Sequence, residues 1–237
     1  MKANKPLGGK AYGSIPHLPG SKYGNREDKG VDEKAAKYFL DKAGKDDTIY
    51  VLEKLDGSCV SVARVGTEIV ALTRSGYPAI SSPYYQHHMF ADWVYENIDR
   101  FSFLNDGERV CGEWLAQAHG TRYDLAGRDP FVAFDLFIRD TRLSYGALLR
   151  ITIRNDINYA PVLYVNNKKG LSVKHALNLL GDLGRYGAID LAEGCVWRWE
   201  RPDVIMLAKY VRPEKEIGGY LMDKDGNKLP EVWNWKP

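Results

Sequence analysis

At 237 residues, 44% hydrophobic and 27% charged, the chain can fill the core of one large domain or two small ones, and no apolar run approaches a membrane span. A formal net charge of +2 excludes a uniformly basic nucleic-acid binder and leaves only local patches, while 12% aromatic content adds a faint hint of base stacking beside its ordinary use as core. Cys59, Cys111 and Cys195 are odd in number, share no metal-ligand spacing and follow no hydrophobic leader, so reduced cysteines in the core of a cytoplasmic protein are expected rather than a disulfide framework.

In chain order, residues 1–30 are rich in Gly, Pro and Lys and read as an extended arm. The lysines of the arm and the segment after it (Lys2, Lys5, Lys10, Lys22, Lys29, Lys34, Lys37, Lys42, Lys45) are expected to be solvated. An acidic start and apolar residues at helical spacing predict a short helix over 32–40, ending near Gly44. Strands follow at 48–53, 59–65 and 68–74, the last two joined by a Gly66-Thr67 turn. Met89, Trp93, Val94 and Ile98 form a helical stripe over 84–99. Strands are expected near 108–116 and 131–138, a helix over 144–155 and a strand at 161–165. Ser172 opens a helix over 172–184, with Leu177, Leu180 and Leu183 on its buried side. Strands near 194–199 and 203–211 precede a tail whose Asp223-Lys224-Asp225-Gly226-Asn227 turn fits a last hairpin. Strands and helices mix without βαβ alternation, which predicts an α+β fold with mainly antiparallel sheets.

The chemistry-bearing residues sit at the ends of these strands. Lys54 lies in a Lys-x-Asp-Gly turn between two strands, a setting that holds a side chain more rigidly than a free loop, and Gly57 permits close backbone approach to a ligand. Thr73-Arg74-Ser75-Gly76 puts an arginine at the same sheet end. Gly112-Glu113 places an acid in an apolar strand, and Phe134-Asp135 ends a run of alternating aromatics. Glu193-Gly194-Cys195-Val196 opens a strand with an acid, and Lys209-Tyr210-Val211-Arg212 closes one with two cations. Each residue alone has a plain structural reading as core, turn or surface charge. Other candidates fall away: adjacent His87 and His88 point apart on a helix and make a poor metal pair, Ser58 and Ser75 have no His–Asp partners, and Asp99, Asp106 and Asp124 read as loop or cap acids.

As an ordered set over residues 50–212, Lys54-x-Asp56-Gly57, Arg74-x-Gly76, Gly112-Glu113, Phe134-Asp135, Glu193-Gly194-x-Val196 and Lys209 resemble the covalent nucleotidyltransferase superfamily of ATP-dependent DNA ligases, RNA ligases and mRNA capping enzymes. Ala208-Lys209-Tyr210-Val211-Arg212-Pro213 and the His17-Leu18-Pro19-Gly20-Ser21 arm make the chain look most like the RNA ligases, above all phage and bacterial ones. The resemblance implies an adenylyltransferase (ATP-grasp-like ligase) domain of two antiparallel sheets around a nucleotide groove. It implies an ATP-dependent RNA ligase with Lys54 as the nucleophile that takes AMP, and Lys209, then Arg212, as the cations facing phosphate. Glu193 would hold a divalent metal, Mg²⁺ or Mn²⁺. Glu113 would accept from ribose hydroxyls, Arg74 would contact ribose or phosphate, Phe134 would stack on adenine, Glu53 would define the adenine edge, and Asp56 would stabilise the turn and reach the site. The implied partner is nucleic acid with 5′-phosphate and 3′-hydroxyl ends, RNA favoured, in a cytoplasm (that of the host for a phage protein).

The pattern also departs from the family. About 25 residues follow Arg212, too few for a separate oligonucleotide-binding barrel, so one nucleotidyltransferase domain is expected over 1–237: arm and helix 1–46, core 47–212, tail 213–237. A separate accessory protein, or the basic arm as a clamp, would then hold the nucleic acid. Val211 stands where a second lysine is often found, and Cys59 where some RNA ligases have asparagine. The alternatives are a compact DNA ligase, a capping guanylyltransferase, and a nucleic-acid-binding module with a decayed site.

Overall fold

The computed structural model describes residues 4–24, 27–41 and 44–236; Lys2 and Lys42 of the basic segment lie outside them. Helix α1 (Glu33–Leu40) is capped by Asp32, whose carboxylate accepts from Ala35 N, and buries Ala36 and Phe39. Strands β1 (Thr48–Lys54), β2 (Ser58–Val65) and β3 (Glu68–Thr73) follow as expected. Helix α2 (Tyr85–Glu96) stops before Ile98, which opens a separate turn of 3₁₀-helix. Strands β4 (Glu108–Trp114) and β5 (Phe131–Ile138) lead to a two-residue β6 (Thr141–Arg142) that the sequence did not signal. Ser144 caps α3 (Tyr145–Arg154), and β7 (Val162–Asn166) precedes α4 (Val173–Leu180). The chain closes its second sheet with β8 (Gly194–Arg201) and β9 (Val204–Val211).

One expectation is corrected. α4 ends at Leu180, not at 184, because Gly181 takes φ 69°, a conformation open to glycine that stops the helix; Leu183 lies beyond it and is exposed. The expected tail hairpin is present in minimal form: around the Asp223 turn, Met222 and Lys228 make an antiparallel bridge, Asp223 N donates to Asn227 O (2.9 Å) and Leu229 N to Leu221 O (3.0 Å).

Both sheets are antiparallel, in the orders β7-β1-β8-β9 and β3-β2-β4-β5-β6. β1 belongs to one sheet and β2 to the other. The Leu55-Asp56-Gly57 link is therefore no hairpin: it carries the chain from sheet to sheet, directly after Lys54. The main core joins Leu52 of β1 to Val60, Val62, Val110 and Phe131 of the second sheet, with the rings of Phe90, Trp93 and Trp114 packed at a tilt among them. A second core lies between α1, α4 and the outer face of the first sheet. No helix among the described residues is long and apolar enough to cross a membrane.

The arm is extended, as expected, but docked. Lys10, Lys29, Lys34, Lys37 and Lys45 do face solvent. Ala11, Tyr12, His17 and Leu18 are buried, and the backbone lies along β9: Lys209 N donates to Pro16 O (2.9 Å) and Leu18 N to Lys209 O (2.8 Å).

Candidate active site

A cleft of about 500 Å³ opens between the sheets, where β1 ends and the chain crosses over. The β1–β8 register pairs Lys54 with Gly194, which brings Glu193, one residue before the strand, against the lysine. Lys54 Nζ stands 2.6 Å from Glu193 Oε2. In the other sheet Cys59 pairs with Glu113, and Glu113 Oε1 accepts from Gly57 N at 3.0 Å, pinning the crossover. Gly57 is required by this close approach, since a Cβ there would overlap the Trp114 carbonyl. Asp56 Oδ2 accepts from Gly120 N (3.0 Å) and Thr121 Oγ1 (3.2 Å), and Asp56 N donates to the Tyr123 hydroxyl (2.9 Å).

Around Lys54 itself the electrostatics are set by three acids, Glu193, Glu113 and Asp56, with Arg74 and Lys209 elsewhere in the lining. Burial pulls Lys54 down, but Glu193, Glu113 and Asp56 together outweigh it and hold the amine above its ordinary value. Burial raises Glu193 and Glu113 to about 7 each, against the pull of Lys54.

Glu113, Phe134, Arg74 and Lys209 line the same cleft. Phe134 is half-buried, its ring edge-on to Tyr12 at 5.0 Å. Arg74 donates to Ser14 Oγ (3.0 Å) and Gly13 O (3.3 Å), and its own carbonyl accepts from Ala11 N and Tyr12 N. Glu53 also lines the cleft, and its carboxylate accepts from Arg185 N at 2.7 Å; burial raises it to about 7. One expected residue is placed otherwise. Arg212 does not line the cleft; its guanidinium donates to Gly181 O and approaches Glu214 at 3.7 Å.

Other residues enter the cleft without having been anticipated. Tyr12, Gly13 and Ile15 of the arm form one wall, and Gly218 and Leu221 of the tail part of another. His87 and His119 also line it: His87 Nε2 lies 3.3 Å from Ser58 Oγ, and His119 Nε2 3.2 Å from Gln86 Nε2. His87 and His88, expected to point apart, both reach Ser82: His87 Nδ1 lies 2.6 Å from its Oγ and His88 Nε2 2.6 Å from its carbonyl oxygen. Asp135, beneath Phe134, is buried and bound by Arg142, Arg198 and the Tyr12 hydroxyl.

The carboxylate oxygens of Glu193, Glu113 and Asp56 are hard donors of the kind that suit a divalent cation such as Mg²⁺ or Mn²⁺. Among the described residues no three His, Cys, Asp or Glu side chains form a full ligand set.

The sequence model of a family described as RNA ligase matches residues 47–211. No curated protein matches the chain. Solved structures of Naegleria gruberi RNA ligase resemble it: a variant with AMP and Mn (18% identity), a variant with ATP and Mn (19%) and the enzyme with PPi (20%), each at TM-score 0.51. In each case the likeness covers 71% of this chain and 50% of the other, so the chain spans about half the length of the solved structures it matches.

Proposed function

The chain belongs to the RNA ligase family, and on that premise we propose that it joins 5′-phosphate and 3′-hydroxyl RNA ends, using ATP, through a lysyl-AMP intermediate on Lys54. The supporting observation is the Lys54–Glu193 contact of 2.6 Å, inside a cleft that also holds Arg74, Glu113, Phe134 and Lys209.

In the first step the Lys54 Nζ lone pair attacks the α-phosphorus of ATP. A P–N bond forms, the bond to the bridging oxygen breaks, and pyrophosphate leaves. Lys54 must first lose its proton, and Glu193 Oε2 lies within hydrogen-bond reach of it. Lys209 and Arg74 face the developing phosphate charge, Phe134 stacks on the base, and Glu113 accepts from the ribose. A divalent ion held by Glu193 would add positive charge at the phosphate and lower the proton affinity of the nearby amine. In the second step an oxygen of the RNA 5′-phosphate displaces Lys54 from the adenylate. In the third a 3′-hydroxyl attacks that phosphate and expels AMP. Positioning and charge neutralisation carry each transfer.

Sealing of a nicked or single-stranded substrate with a 3′-ribose end, compared with its 3′-deoxyribose twin, tests the substrate class. RNA ends should be joined faster; equal or preferential joining of DNA ends would overturn the RNA assignment.

A further inference from the structure

Lysine has a flexible four-carbon stem, so a lysine that must meet a phosphate at a fixed point needs something to hold its head. For Lys209 that support comes from the N-terminal arm. Asp28 Oδ1 stands 3.7 Å from Lys209 Nζ, and Asp28 Oδ2 stands 3.4 Å from His17 Nε2. The first separation is too long for a hydrogen bond; it attracts the ammonium by charge and leaves its three donors for another acceptor.

His17 is itself fixed. Its ring is 1% exposed, its Nδ1 lies 2.6 Å from Ser21 Oγ, and the Tyr23 ring tilts against it at 4.7 Å. Its backbone N donates to Lys29 O (2.7 Å) and its O accepts from Val31 N (2.8 Å). Ser21 Oγ in turn accepts from Val211 N at 2.9 Å, two residues along β9 from Lys209. The contacts thus close a ring, Lys209–Asp28–His17–Ser21–Val211, that begins and ends on one strand.

We propose that Asp28 and His17 are positioning residues for Lys209, so that the arm sets where the phosphate-facing cation of the cleft stands. This rests on the adenylylation reading given above. It also reassigns the arm from a clamp on nucleic acid to a part of the nucleotide site, consistent with Tyr12, Gly13 and Ile15 walling the cleft.

The test is the rate of AMP transfer to the full chain, in Mg²⁺, as a function of ATP. Asp28→Asn should raise the KM for ATP by about tenfold or more, with a smaller change in the rate at saturation. Asp28→Glu should restore most of the loss. In a Lys209→Gln background Asp28→Asn should add no further penalty, because its effect runs through the lysine. His17→Asn, which draws the side chain back from Asp28, should give the same KM effect and serves if Asp28→Asn fails to fold. A wild-type KM in both variants, or an equal penalty with and without Lys209, would overturn the inference. Failure of the wild-type chain to take AMP at all would instead overturn the adenylylation reading.

Discussion

Glu53 and Lys54 are neighbours in β1 with opposite fates, and the pleat explains why. Successive strand residues face opposite sides, so when Lys54 turns into the cleft the Glu53 carboxylate turns towards the Arg185 loop. Both residues still line the cleft. Arg212 was misplaced because it follows the end of β9, where strand geometry no longer fixes direction. Lys54, Arg74, Glu113, Phe134, Glu193 and Lys209 were legible because each is tied to a strand or its end and their order along the chain is informative. Tyr12, His87 and His119 were not, because they reach the cleft from the arm, a helix and a loop, through packing that no local periodicity reports. The buried Glu53 carboxyl has a consequence for stability. Its pKa rises from 4.5 to about 7 on folding, so the folded state binds more protons between those values and loses stability as pH rises through them. Denaturant unfolding of wild type and Glu53→Gln should show the variant gaining on wild type from pH 4.5 to about 7, by up to about 3 kcal/mol, and flat above. A gap independent of pH would contradict this.

At the scale of elements, the decisive feature is the crossover from β1 to β2. A strand–turn–strand was expected here, and the two strands are present, but they belong to different sheets. Local pattern can mark both strands and the turn between them. It cannot say whether they pair with each other, since that is decided by distant partners: β8 for β1 and β4 for β2. The crossover leaves no room for a side chain at Gly57 beside the Trp114 carbonyl. Gly57→Ala should displace the turn, loosen the Glu113 contact, and slow AMP capture by about 100-fold, the scale of a 1 Å misplacement. Single-turnover adenylylation checks this; a wild-type rate would mean that the turn does not set the position of Lys54. The helices were legible to different depths. Ser144 and Ser172 announced their starts through capping, whereas the end of α4 depended on Gly181 adopting a left-handed turn that the downstream leucines concealed.

For the whole molecule, the mixing of strands and helices without βαβ alternation indicated antiparallel sheets and an α+β class, and both are present. The strand orders were beyond reach, since β7 and β8 reach β1 from more than a hundred residues away. So was the closure of the cleft by both chain ends. The tail packs Trp235 on Trp114 at 5.7 Å, and Asn234 Oδ1 accepts from Tyr123 N at 3.0 Å, next to the loop that fixes Asp56. The arm ties β3, through Arg74, to β9, through Lys209. The two sheets, the arm and the tail together shape the cleft into which Lys54 turns, and the proposed function stands on that amine becoming a nucleophile. Intact-mass measurement of the full chain after incubation with ATP and Mg²⁺ tests this most directly, with Lys54→Ala alongside. The account predicts a gain of one AMP per chain, absent in Lys54→Ala and traced to Lys54 by peptide mapping. No gain in the wild type, or an equal gain in the variant, would contradict it.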